Sequence, residues 1–143
     1  MMDEGRVFLV ATKAIVMRGD GKMLTMRRTE TAPTNPLGWD LPGGILEFAE
    51  EAEAGIRRET KEETGLTIAN VRVFHAIARP NSIGEHWVNV YYAAEAASEN
   101  VMLSFEHSDF QWILPEEFEA LPGSQRNKEA VAYFIALRDN GKI

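Results

Sequence analysis

The sequence has 143 residues, room for one ordinary domain with its own core. Its net charge of −7, from 22 acidic against 15 basic residues, argues against a protein that wraps a nucleic-acid polymer, because phosphate backbones are held mainly by Lys and Arg. The absence of cysteine excludes disulfides and thiolate metal sites, and the 45% apolar fraction is that of a folded globular chain.

The N-terminal stretch carries the acidic pair Asp3-Glu4 and then an apolar run of strand length. That pattern is neither a signal peptide nor a membrane span, so the expected location is the cytoplasm and no membrane partner is expected. Residues 7–17 are rich in β-branched and apolar side chains, Gly19-Asp20-Gly21-Lys22 is a turn, and residues 23–27 are again apolar; together they predict a β-hairpin. Residues 29–38 contain two prolines and read as a loop. A short extended piece at residues 39–41 precedes Pro42-Gly43-Gly44.

From residue 49 to 64 the pattern is helical and strongly charged, and Gly65 supplies a C-terminal stop. Strands are expected at residues 67–78 and 86–94, joined by a loop over 79–85, with a further short strand at 109–114. Pro115 suits a helix start. Residues 127–139 place Ala130, Val131, Phe134, Ile135 and Leu137 at helical spacing. No repeat, low-complexity tract or linker interrupts the chain, which predicts a single domain over residues 1–143 with an α+β or α/β sandwich architecture.

Chemistry concentrates in residues 44–66. The segment holds Glu47, Glu50, Glu51, Glu53, Glu59, Glu62 and Glu63 against Arg57, Arg58 and Lys61. At about 100° per residue, Glu59, Glu62 and Glu63 share one side of a helix. Like charges at that spacing cost a few tenths of a kcal/mol each, roughly, unless a cation offsets them. Mg²⁺ takes oxygen ligands and binds through carboxylates together with substrate phosphate oxygens. Gly43 and Gly44 allow close backbone approach, and the Gly44 carbonyl is a candidate further ligand. Acidic runs on helices are most often solvated faces, so the order of the residues has to decide.

That order resembles the Nudix box: Gly44, Glu50, Arg58, Glu59, Glu62, Glu63, Gly65 and Leu66 all fall on its fixed positions. Thr60 stands where the pattern has a bulky aliphatic, and Ala49 where many members have glycine. Thr60 is expected to face the sheet with a small effect on packing. The lead-in Gly38-Trp39-Asp40-Leu41-Pro42 is also similar to that of the family.

The resemblance implies an α/β/α sandwich with a mixed β-sheet and the box helix between strands. It implies Glu62 and Glu63 as principal metal ligands and Glu59 as third ligand or general base. Gly44 would add its carbonyl, and Arg58 would pair with Glu50 or a neighbouring glutamate to fix the carboxylates. A glutamate outside the box often joins such a site; Glu106, six residues before Trp112, is preferred over Glu85.

The expected cofactor is Mg²⁺, with Mn²⁺ as substitute. The expected ligand is a small-molecule nucleoside diphosphate derivative, and the expected state a monomer or homodimer. The first expectation is a MutT-like nucleoside triphosphate pyrophosphohydrolase, acting on oxidised nucleotides among others. Pro80, fifteen residues after Gly65, supports ADP-ribose or another nucleotide sugar as the alternative. A catalytically silent nucleotide sensor is disfavoured because every box glutamate is kept. Arg27 and Arg28 are candidate phosphate contacts, and His86 and His107 are weaker ones. His75 reads as a packed or surface residue, Trp39, Trp87 and Trp112 as packing residues, and Met17, Met23 and Met26 as core.

Overall fold

A computed structural model describes residues 6–98 and 100–143, so the Asp3-Glu4 pair lies outside the described residues. Strands β1 (Phe8–Met17) and β2 (Met23–Arg28) form the expected hairpin, closed by the Met17↔Met23 pair. Beyond that pair the two strands part. β1 continues antiparallel to β4 (Gly43–Ile45), matching Thr12 to Gly44, and the Ala14 N–H donates to the Pro42 carbonyl at 2.9 Å. β2 instead takes β3 (Trp39–Asp40) on one side and β7 (His107–Ile113) on the other, both antiparallel. This fork opens a cleft in the middle of the sheet.

On its other edge β1 pairs in parallel with β6 (His86–Ala96), which pairs antiparallel with the edge strand β5 (Ile68–Pro80). The sheet is therefore mixed. Strand alternation sends neighbouring side chains to opposite faces. Ala14, Val16, Leu24 and Met26 pack with Ile56 and Leu66 around α1 (Ala52–Thr64). Ile15 and Met23 pack on the opposite face with Ala130, Val131 and Phe134 of α2 (Gln125–Asp139). One helix on each face makes the expected α/β/α sandwich. Among the described residues, no helix is long and apolar enough to cross a membrane.

Several boundaries differ from the sequence expectation. The box helix begins at Ala52 rather than residue 49, because Ala49 has φ 65° and Glu51 is extended at φ −70°, ψ 142°. Glu50 thus lies on the approach to the helix. Gly65, at φ 74°, caps it as expected, its N–H bonded to the Lys61 carbonyl at 2.9 Å. β5 runs on through Pro80, shortening the loop to residues 81–85, where the Asn81 side-chain oxygen accepts from the Ile83 and Glu85 N–H groups. The Pro115 start is a short 3₁₀ helix, Pro115–Ala120. α2 begins two residues before the expected 127, with Ser124 as N-cap accepting from the Asn127 N–H.

Candidate active site

The buried stripe of α1 consists of Gly55, Ile56, Thr60, Glu63 and Thr64, at the spacing of a face turned to the sheet. Glu63 is therefore carried inward by the same periodicity that buries Ile56. Its Oε1 accepts the Gly43 N–H at 3.0 Å. Gly43 has φ 143°, and a Cβ there would overlap the Thr12 carbonyl, so the turn requires glycine. Burial pushes the Glu63 carboxyl up to about 8, reinforced by Asp40 and Glu59 and opposed by Lys13 and the Gly43 N–H.

Glu59 lies one turn back, against Gly44. Burial raises its carboxyl above the ordinary value, as does repulsion from Glu62 and Glu106, while Arg58 opposes the shift. Arg58 grips Glu50 with two bonds, Nε to Oε2 at 2.7 Å and Nη2 to Oε1 at 3.1 Å. Its Nη1 reaches Glu59 Oε1 at 3.1 Å and Glu62 Oε2 at 3.3 Å. One guanidinium thus braces three of the box carboxylates. Glu62 itself is turned outward, its side chain 58% exposed.

A polar cavity of about 510 Å³ occupies the fork of the sheet. Glu59, Glu63 and Glu106 border it together with Gly43 and Gly44; Glu62 does not. Glu85 is not among the cavity residues; it accepts from the Asn81 side chain at 2.8 Å and from Nε1 of the cavity residue Trp87 at 3.4 Å. Trp39 and Trp87 line the cavity, whereas Trp112 packs beside the α1-side core with the Arg18 guanidinium over its ring at 4.8 Å. Arg28 lines the cavity; Arg27 turns to the Leu37 carbonyl at 3.2 Å. His75 packs beside Tyr133 with ring centroids 4.5 Å apart, and His86 meets Phe8 edge-on. His107 is buried, and neither ring nitrogen has a hydrogen bond. Its Nδ1 stands 3.6 Å from Glu63 Oε2 and its Nε2 3.8 Å from Asp40 Oδ2, so it bridges beneath the site and offers no free face to a phosphate. Met23 and Met26 are fully buried, and Met17 packs against the core.

The cavity floor holds a group of residues that sequence reasoning passed over. Asp40 Oδ1 accepts from Lys13 Nζ at 3.1 Å, the Leu41 N–H at 2.8 Å and Asn127 Nδ2 at 2.9 Å. Its Oδ2 accepts from Lys13 Nζ and from Arg28 Nη1, both at 3.2 Å. Tyr91 extends the group by donating its hydroxyl to Asn127 Oδ1 at 2.8 Å. Burial works against both charges of the Lys13–Asp40 pair. It is outweighed in each: Lys13 is held above the ordinary lysine value by Asp40 and Glu63, and Asp40 far below the carboxylate range by Lys13 and its hydrogen bonds. A lysine in the middle of an apolar strand was the available signal.

Glu59, Glu63 and Glu106 offer carboxylate oxygens to the cavity, the chemistry that a hard divalent ion takes. Among the described residues no three acidic or imidazole groups converge into a ready cage. Mg²⁺ does not need one, since it keeps several waters and binds through one or two carboxylates plus phosphate oxygens. Burial first, and neighbouring carboxylates second, raise the carboxyls of Glu59 and Glu63. The donor set fits a divalent metal.

Carboxylates drawn together at the edge of a polar cleft, on an α/β/α sandwich, suit metal-assisted hydrolysis. Three kinds of similarity narrow it. A model of the NUDIX domain matches residues 7–134. The chain is 30% identical over 130 residues to a MutT-like protein of Streptomyces ambofaciens, covering 91% of this chain and 75% of that one. It is 25% identical over 115 residues to the nucleoside triphosphatase NudI of Salmonella arizonae, covering 72% and 80% respectively. The crystal structure of a MutT NUDIX hydrolase from Burkholderia pseudomallei superposes with a TM-score of 0.79 at 26% identity, over 90% of this chain and 98% of that one. The chain belongs to the Nudix family and is a pyrophosphohydrolase. Hydrolases of this family generally use a divalent metal.

Proposed function

We propose that the protein is a Mg²⁺-dependent, MutT-like pyrophosphohydrolase of nucleoside triphosphates, oxidised ones among them, acting as one domain in the cytoplasm. The observation that carries the reading is the meeting of Glu59, Glu63 and Glu106 on the wall of a polar cavity that also holds Arg28 and two tryptophans. The relatives called MutT-like protein and nucleoside triphosphatase support the same substrate class. Pro80, the residue behind the ADP-ribose alternative, closes β5 and is not among the cavity residues.

In this reading Glu63, Glu62 and Glu106 hold the metal with the Gly44 carbonyl, and Mn²⁺ can substitute. For Glu62 this means leaving Arg58, a surface contact of little energetic worth. The bound ion supplies charge neutralisation and a lowered water pKa. Arg28 receives phosphate oxygens, and Trp87 flanks the base, while Trp39 packs in the core on the α2 side. Glu59, its carboxyl raised above the ordinary value by burial, accepts the proton of the attacking water. The water oxygen forms a bond to phosphorus as the bridging oxygen departs with the leaving group. Arg58 touches no reacting atom; it holds Glu50, Glu59 and Glu62 in register.

The test is release of phosphate or pyrophosphate from a panel of nucleoside triphosphates, ADP-ribose and dinucleoside polyphosphates, with Mg²⁺ and with EDTA. Hydrolysis of triphosphates that EDTA abolishes, and that Glu63→Gln reduces at least a hundredfold, is expected. Turnover indifferent to EDTA and to that substitution defeats the mechanism. A preference for ADP-ribose defeats the substrate assignment, and silence on the whole panel favours a nucleotide sensor. Reaction in ¹⁸O-labelled water identifies the phosphorus attacked.

A further inference from the structure

Two buried charges beneath the cavity have no part in the chemistry above. Asp40 takes five donor contacts from Lys13, Arg28, Leu41 and Asn127. A carboxylate offers about four lone-pair sites, so Asp40 has none left for a metal ion or a substrate. Lys13 is equally spent. Its ammonium has three protons, and its contacts are the two Asp40 oxygens and the Leu41 carbonyl at 3.2 Å. Neither residue can act on a ligand directly, although both border the cavity.

Arg28 is different. Its Nε is fixed by the Thr34 carbonyl at 2.8 Å and its Nη1 by Asp40, while Nη2 makes no hydrogen bond to any described residue. Paired with Asp40 alone, Arg28 would be a neutral unit with little attraction for phosphate. Lys13 changes the sum. Two cations share one carboxylate, so the trio carries a net positive charge, and only Arg28 has a donor to spare. The other charged side chains lining the cavity are Glu59, Glu63 and Glu106, which oppose an anionic ligand, and Arg126, whose Nη2 donates to the Arg79 carbonyl at 3.2 Å.

We propose that Lys13 and Asp40 are positioning residues for phosphate binding: Asp40 aims the Arg28 guanidinium into the cavity, and Lys13 takes up the charge of Asp40 so that Arg28 keeps its own for the ligand. The inference rests on the cavity being a phosphate-binding site, but not on which nucleotide is hydrolysed.

The probe is inorganic pyrophosphate, titrated calorimetrically with saturating Mg²⁺ at fixed ionic strength. Lys13→Met is expected to weaken binding roughly tenfold, through loss of one buried charge near the ligand. Asp40→Asn is expected to bind pyrophosphate more tightly than wild type, because it frees both cations, while kcat for triphosphates falls through loss of aim. Opposite signs from two partners of one ion pair are not what a merely structural pair gives.

The double variant Lys13→Met/Asp40→Asn removes both charges at once. It is expected to fold even if Asp40→Asn does not, since an ion pair replaced whole is far better tolerated than one broken. Its affinity should return to within about threefold of wild type. Unchanged affinity in Lys13→Met overturns the proposal, as does a double variant as weak as Lys13→Met. Failure of wild type to bind pyrophosphate overturns it too. Triphosphate turnover by wild type, read separately, shows whether the functional assignment has failed instead.

Discussion

Gly44 and Glu59 compete for one volume. A Cβ built on Gly44 would lie 2.6 Å from Glu59 Cδ and 2.7 Å from each of its carboxylate oxygens. The glycine is thus a seat for the carboxylate, a role separate from any contribution of its carbonyl. Because the clash is with the end of a flexible side chain, Gly44→Ala should fold normally and displace only Glu59. A fall in kcat of about tenfold to a hundredfold is expected, as for a misplaced catalytic group, with Tm within a few degrees of wild type. Equal kcat in the two proteins would mean that Glu59 has no part in the chemistry.

Ala49 supplies a second prediction. Its φ of 65° is a left-handed conformation that costs an L-residue with a Cβ roughly 1 kcal/mol. Glycine adopts it freely, though it loses more entropy on folding. Ala49→Gly should therefore stabilise the protein by about 0.5 kcal/mol, read as a higher urea midpoint at unchanged slope. A lower midpoint would refute the assignment of strain.

The same residue shows what was legible in the sequence and what was not. The family pattern marks position 49 as odd, but composition does not reveal that the backbone there turns left-handed, so the helical pattern begins three residues before the helix does. Strand alternation and the Gly-Asp-Gly turn were local signals, and the hairpin and both helix layers followed from them. The cavity was not local. Lys13, Asp40 and Asn127 lie on β1, β3 and α2, and only the parting of β1 from β2 brings them together. Glu62 and Glu63 are adjacent and chemically identical in the sequence; helical phase buries one and exposes the other.

Glu106 and Glu85 offered rival claims from outside the box, and their positions now differ. Glu106 shares a cavity wall with Glu59 and Glu63, whereas Glu85 serves the turn at Asn81. Glu106→Gln should lower kcat by about a hundredfold and raise the Mg²⁺ concentration needed for half-maximal rate. Glu85→Gln keeps the size and an acceptor oxygen at the turn, and should leave kcat within about twofold, since a surface polar substitution of this kind disturbs little. Steady-state rates across a Mg²⁺ titration separate the two, and a larger loss in Glu85→Gln would reverse the assignment.

Thr60 is where the sequence departs from the box, and it is the better test of how the helix packs. It was expected to face the sheet with little consequence. It is fully buried, and its Oγ1 has no hydrogen-bond partner. The neighbouring Thr64 hydroxyl is satisfied by donating to the Thr60 carbonyl at 2.6 Å, so the two threonines differ in kind. An unsatisfied buried hydroxyl costs about 1 kcal/mol or more. Valine has the same branched shape and a similar helix propensity. Thr60→Val should stabilise the protein by about 1 kcal/mol, a rise in Tm of roughly 2–4 °C. The box carboxylates stay in place on the helix, so kcat should be unchanged. Thr64→Val, which breaks a made bond and leaves the Leu66 N–H without its 3.1 Å acceptor, should destabilise instead. Melting curves for the two variants side by side decide the matter: if Thr60→Val melts below wild type, the hydroxyl has a partner, such as an internal water, and the packing argument fails.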